Sequence, residues 1–457
     1  MSCFPRKAAA GLGALLAVVG CAGVPVQNTR GVTNQLLQHS VGAQALRSAD
    51  TDVAAEIAAL LAKPLYGDAA VRIALLRNPT MQSIYAELDI ATADVFQASR
   101  LANPGLGLAV LKPGAATADR KVDGSLTLGF TDLLLLHSRR QQGAAELRSA
   151  QQRIASQIHG LALDVQQAWV SATAAAQRAA LGLAIADDAR LAADLAGQYH
   201  KAGNIDALSL SLHGATASEA AIEATHSARS AIRERAHLQR LMGLRAGDAP
   251  LILPDSLPLP AEPTLDRTTM LATAHAQRLD LQAARSELQA MQLQQQATRR
   301  FRWLRGGEIG AISEREGTSG TRGGVSAAVE LPLFQQGQAE ITRSGARRDA
   351  AAARVRELEV AIDAEVNSQL DQLSQLRTQL TLYREQLIPQ RETAVTELSR
   401  QANFMLSGPF ELLDAKQSLQ QAESGAIEAL QEYWQGHLAL ARALGAALPT
   451  VITEVQP

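Results

Sequence analysis

From residue 154 to residue 179 the positions Ile154, Ile158, Leu161, Val165, Ala168, Ala172, Ala175 and Ala179 step by 4, 3, 4, 3, 4, 3 and 4, the a/d spacing of a coiled coil. The helix that carries this seam is predicted to run for about 70 residues, roughly 105 Å at 1.5 Å per residue, and few globular domains can house such a rod. A second seam, Leu373, Leu376, Leu380, Tyr383 and Leu387, has the same spacing. Both the composition and the seams favour long packed helices over a bulky core: 47% of residues are hydrophobic but only 3% aromatic, so the apolar share is mostly Ala and Leu. Ala-heavy seams let helices approach closely but bury little area per residue, so packing on several neighbours must supply the stability.

The chain repeats one plan with a period near 200 residues. "ALLRNPTMQSIYAEL" (74–88) answers "AHAQRLDLQAARSEL" (274–288), "SLTLGFTDLL" (125–134) answers "SAAVELPLFQ" (326–335), and "AGNIDALSL" (202–210) answers "LSGPFELLD" (406–414). The two units span 67–246 and 267–446, after a segment at 21–66 and before a tail at 447–457. Five prolines at 247–266 forbid a helix between them and predict an extended linker. Each unit reads as a helix of about 35 residues, a strand pair, a helix of about 70, a break, and a return helix of about 37. Two short helices end to end match one long one, which is what a tube wall of paired rods requires. Pro389 deletes a backbone bond in the second long helix and predicts a kink there.

The strand candidates are 104–111 with 124–130, and 307–313 with 324–331. Leu106, Leu108 and Val110 alternate with small residues, as do Leu126, Leu128 and Phe130, and Val325 and Val329; one face is apolar and the other small or polar. A half-buried soluble sheet gives the same alternation. However, four strands cannot close a barrel alone, since about eight is the practical minimum, and the helices offer no globular body to bury a sheet. Three chains would supply twelve strands with the apolar face toward lipid. The fold class is therefore mainly α with a small β part, a helical coiled-coil tube plus four strands per protomer.

The N-terminus reads as a signal peptide over 1–20. Arg6 and Lys7 precede the apolar run Ala8 to Val19, and Val18-Val19-Gly20-Cys21 forms a small-residue cleavage site. The site resembles a bacterial lipobox, which implies acylation of Cys21 as the first mature residue and, with Ala22 next, an outer-membrane address. Loss of Cys3 with the leader would leave no partner for a disulfide.

The formal net charge is −2, with both signs interspersed, so no surface for nucleic acid is marked. The nine His and six Met are scattered, and no HExxH, CxxC, phosphate loop or nucleophile elbow occurs. No enzyme, cofactor or metal site is expected.

The stretch "ALLRNPTMQSIYAELDIATADVFQASRLANPGLGL", the stop "VELPLFQQGQAE", the 200-residue repeat and "LLDAKQSLQQAE" together resemble the TolC-like outer-membrane efflux protein family, over about residues 66 to 446. The resemblance implies a homotrimer with a twelve-stranded barrel in the outer membrane and a periplasmic helical tube. Such a channel is the passive exit duct of a tripartite system, working with a periplasmic adaptor and an inner-membrane pump. The stretch "NFMLSGPFELLDAK" resembles members linked to heavy-metal export; drug export is the other expectation. Glu411 and Asp414 share a helix face; the resemblance implies a pore constriction of six carboxylates, while helix-dipole complementation is the simpler alternative. Gly203, Asn204, Asp206, Ser407 and Gly408 are candidates for adaptor contact, with turn chemistry as the alternative. The family's Tyr and Gly before the second break are replaced by Ala402 and Met405, whereas Tyr199 and Gly203 stand in the first unit. A lipid-anchored periplasmic adaptor or scaffold without a pore is the competing function.

Overall fold

The computed structural model describes residues 24, 26–37, 53–111, 120–245, 247–260, 266–303, 305–316 and 320–446. The expected signal peptide at 1–20, Cys21, the tail at 447–457, and parts of the 21–66 segment, of the linker and of both strand-joining loops lie outside the described residues. Helices α1 (Val26–Leu37) and α2 (Val53–Leu61) come first. One succession follows: α3 (Gly67–Arg77), α4 (Pro79–Ala98), β1 (Gly105–Leu111), β2 (Lys121–Gly129), α5 (Phe130–Lys201) and α6 (Ala207–Leu241). The second has α7 (Arg267–Gln277), α8 (Leu279–Arg300), β3 (Arg305–Glu316), β4 (Arg322–Glu330), α9 (Gln338–Leu382), a π-helical turn (Tyr383–Leu387), α10 (Ile388–Asn403) and α11 (Pro409–Leu444).

The long and return helices have the expected lengths, 72 and 35 residues for α5 and α6, and 36 for α11. The opening helix of each succession does not: it is split in two, at Asn78 and at Arg278. Asn78 precedes Pro79, which disfavours helical backbone there, and its side chain accepts from the Thr80 N–H at 2.8 Å while donating to the Leu241 carbonyl at 2.7 Å. Both breaks also share a tertiary contact. The end of each return helix docks on the break through a glycine with positive φ, Gly243 at 69° and Gly445 at 66°. A Cβ on Gly243 would lie 2.9 Å from the Arg77 carbonyl oxygen, and one on Gly445 would lie 2.8 Å from the Arg278 Cα. Only glycine fits both the backbone and the approach.

The interruption at Pro389 takes the form of the π turn immediately before it. One extra residue per turn accommodates a missing i→i−4 bond, so helix continues on both sides.

Side by side, α5 packs on α6 and α8, α9 on α8 and α11, and α11 on α5. In the first seam Ile154, Ile158, Val165, Ala168, Ala172 and Ala175 are buried, with Leu161 and Ala179 half-buried. The linker residues described, 247–260, run without helix and form a strap over this core. Leu251 and Leu257 are buried in it, the Leu65 N–H donates to the Ile252 carbonyl at 2.8 Å, and the indoles of Trp169 and Trp434 donate to Leu65 and Pro258 carbonyls at 2.7 and 2.8 Å. Burial fades toward the helix-to-helix turns. Helix α6 buries only Ala224 and Leu238 and α10 buries nothing, while Leu183, Leu191, Leu208 and Leu212 stay exposed. Among the described residues no helix is long and apolar enough to cross a membrane, and no group of three His, Cys, Asp or Glu could hold a metal ion.

Candidate functional site at the sheet and the helical tip

The four strands form one antiparallel sheet in the order β1-β2-β3-β4, so the pairs from the two successions join through β2 and β3. Side chains opposite each other across antiparallel strands share a face. The register aligns Leu106 with Leu126, Leu126 with Ala311, and Ala311 with Val325; it also aligns Val110 with Val122, and Leu128 with Ile309 and then Ala327. Leu106, Leu108, Val110, Leu126, Leu128, Val325 and Val329 therefore all lie on one apolar face. The opposite face carries Lys121, Asp123, Ser125, Thr127, Glu314 and Ser326, with Lys121 Nζ paired to Glu314 at 2.6 Å.

The apolar face is uncovered. Leu106 is 84% exposed and Val325 93%; Leu108, Val110, Leu126 and Val329 are exposed as well, and Leu128 is half-buried. Among the described residues the two edge strands, β1 and β4, are unpaired on their outer sides. Phe130 departs from the strand reading: it is the first residue of α5. Its ring covers Gly307, where a Cβ would lie 2.7 Å from Cδ1, so Phe130 closes the strand-to-helix corner rather than extending the apolar face.

At the opposite end of the 72-residue α5, about 108 Å away by helix rise, two turns reverse the chain with the same bonding. In the first, the Gly203 N–H donates to the His200 carbonyl and the Asn204 N–H to that of Tyr199; in the second, Met405 donates to Ala402 and Leu406 to Gln401. Met405 thus occupies the place of Gly203 in left-handed backbone, with φ of 57° against 77°, and Gln401, rather than Ala402, takes the place of Tyr199. Phe404, Met405 and Leu406 are all exposed, Met405 to 93%. Asp206 caps α6: the Ser209 hydroxyl and N–H hydrogen-bond its carboxylate, holding it below the usual carboxylate range. Gly203, Asn204 and Gly408 are exposed, and Ser407 is half-buried, its hydroxyl donating to the Leu398 carbonyl at 3.4 Å. Glu411 and Asp414 lie on the first turns of α11, both exposed, and neither has an ion-pair or hydrogen-bond partner among the described residues.

No family model and no curated protein matches the chain. Among solved structures it resembles the CmeC outer membrane channel of Campylobacter jejuni, at TM-score 0.70 and 12% identity over 83% of this chain and 85% of that one. The outer membrane protein VceC of Vibrio cholerae gives a TM-score of 0.67 and 18% identity over 83% and 96%. The open state of the Neisseria gonorrhoeae MtrE outer membrane channel gives 0.64 and 18% over 83% and 88%. This chain has the TolC-like channel fold.

Within the TolC-like fold the two helical hairpins are tied together near the turns by contacts that sequence reasoning missed. Phe410 stacks on His213 at 4.4 Å and meets Tyr199 edge-on at 5.6 Å. Asp188 on α5 receives Lys416 at 2.9 Å and Gln420 at 2.6 Å from α11. These partners lie about 200 residues or more apart, so no periodicity signals them. Val122 and Ile309 were likewise missed on the apolar face. Ile309 and Ile312 are three apart and break the alternation, and only the pairing with β2 decides which of them shares the face of Leu128.

Proposed function

We propose that three copies of this chain form a passive outer-membrane channel, the exit duct of a tripartite efflux system with a periplasmic adaptor and an inner-membrane pump. The observation that carries this reading is the open four-stranded sheet, whose apolar face is bare and whose two edges are unpaired at one end of a helical body about 100 Å long. In water such edges and such a face favour aggregation. In a bilayer every backbone group must be bonded, and β4 of one copy pairing with β1 of the next satisfies both edges. The resemblance to outer membrane channels such as CmeC and VceC supports the same reading. A lipid-anchored adaptor or scaffold without a pore would leave the apolar face uncovered.

In this arrangement Leu106, Leu108, Val110, Leu126, Leu128, Val325 and Val329 face lipid and the charged face lines the lumen. Cys21, acylated, adds an anchor on the same membrane. At the tip, Glu411 and Asp414 contribute six carboxylates around one axis, a ring that favours cations and hinders anions, and Gly203, Asn204, Asp206, Ser407 and Gly408 meet the adaptor. The exported substrate, a heavy-metal ion or a drug, is selected by the pump.

The test is a single-channel recording in a planar bilayer with the oligomeric state measured in the same detergent. A trimer whose cation preference falls in E411A/D414A supports the reading. A stable monomer without conductance, in both wild type and variant, overturns it.

A further inference from the structure

Aromatic residues are few, yet those near the junction of helices and sheet include three that are each covered by an arginine. The Arg100 guanidinium lies 3.9 Å from the centre of the Phe96 ring, that of Arg302 4.6 Å from Trp303, and that of Arg300 5.4 Å from Phe301. Arg100, Arg300, Arg302 and Trp303 are exposed. The arrangement recurs at both points where the chain passes from helix into the sheet: Arg100 stands five residues before β1 and Arg302 three before β3.

These arginines have no ion-pair partner among the described residues. The acids that open the two long helices are already engaged, Asp132 by Arg139 at 2.8 Å and Glu340 by Arg343. A guanidinium stacked on a ring is oriented and partly desolvated on one face, while its N–H fork stays free at the rim, a geometry suited to phosphate oxygens. Immediately past the arginines begins the bare apolar face, at Leu106 on β1 and Ile309 on β3. A band of arginine and aromatic side chains adjoining an apolar surface matches the headgroup layer adjoining hydrocarbon.

We propose that Arg100, Arg300 and Arg302, stacked on Phe96, Phe301 and Trp303, form a collar that binds the headgroups of anionic phospholipids where the sheet enters the membrane. This rests on the sheet being the membrane-spanning part. A soluble acidic partner would match the charge but not the continuity with the apolar face.

The test compares insertion of the full-length protein into vesicles of phosphatidylcholine alone and of phosphatidylcholine with phosphatidylglycerol, and counts co-purifying phospholipids by native mass spectrometry. Wild type is expected to prefer the phosphatidylglycerol vesicles and retain that lipid. The R100Q/R300Q/R302Q variant is expected to lose the preference by about fivefold for each arginine that contacts a headgroup, with the Lys triple variant recovering part of it. Should the Gln variant fold poorly, Lys substitutions that lower lipid retention by removing the fork and stacking give the same answer. Normal insertion and conductance with no lipid preference in wild type, or a preference unchanged in the Gln variant, overturns the collar while leaving the channel reading standing. Arginine-dependent binding of poly-glutamate without lipid preference assigns the collar to an acidic protein and also overturns it. Failure of wild type to insert into either vesicle overturns the membrane reading, and the collar falls with it.

Discussion

Two histidines are built into the helical wall as neutral groups. His159 on α5 and His437 on α11 are buried, and burial pushes both down to about 4, helped at His159 by the Arg442 guanidinium. Among the described residues neither ring nitrogen of His159, nor Nδ1 of His437, has a hydrogen-bond partner; the His437 ring instead lies 5.3 Å from that of Trp434. The unfolded chain therefore binds more protons than the native one between about pH 6.5 and pH 4. The associated stability is complete above pH 6.5, falls as pH drops toward 4, and is flat below. By pH 5 each site is expected to have lost about 2 kcal/mol, read as a lowered melting temperature, and H437L should flatten the slope. A left-handed residue with a Cβ costs about 1–2 kcal/mol relative to glycine, so Met405→Gly should raise amide protection in the second turn by about 1 kcal/mol in hydrogen exchange. That Glu411 and Asp414 share a helix face was legible, because i, i+3 spacing alone places them so; their candidacy for a pore ring came from the family resemblance. The strain at Met405 was not legible, because left-handed backbone follows from the turn's bonds and not from residue type.

At the scale of the element, the seams and return helices were legible because helix period and length are local properties. The split of the first opening helix has a local signal in Asn78-Pro79, but that of the second was not legible: Arg278 carries no breaking signal, and its break is where the end of the return helix at Gly445 docks. The π turn illustrates the same dependence. Pro389 announces a missing bond, but the form of the defect is set by a neighbour, because Tyr383 at the start of the turn lies over Gly425 of α11, where a Cβ would come within 2.7 Å of the phenol oxygen. Gly425→Leu should push the two helices apart and cost about 1–3 kcal/mol, seen as a lower melting temperature. A gentler check is Trp169→Phe. It keeps the ring in the core but leaves the Leu65 carbonyl without its donor, and should cost about 1–3 kcal/mol with increased exchange at 247–260.

For the whole molecule the bare sheet is the decisive feature. An arginine at Leu128 or Val329 is expected to cost about 2–4 kcal/mol at the bilayer midplane and to prevent membrane assembly, scored by the yield of trimer from membranes. A protein that kept its sheet in water would tolerate both. The sequence by itself determined the rods, the one-sided strands and the extended linker, because each is a periodicity or a proline effect spanning a few neighbouring residues, and the repeat, because it is a match between segments that needs no contact between them. Only the tertiary structure decided that β2 pairs with β3, that Asp188 meets Lys416, that Ile309 shares the apolar face, and that Phe130 turns the corner into α5. Those outcomes depend on contacts between residues that lie a hundred or more positions apart, or on packing at a junction, where local pattern carries no information about which of several chemically similar partners will be brought within reach.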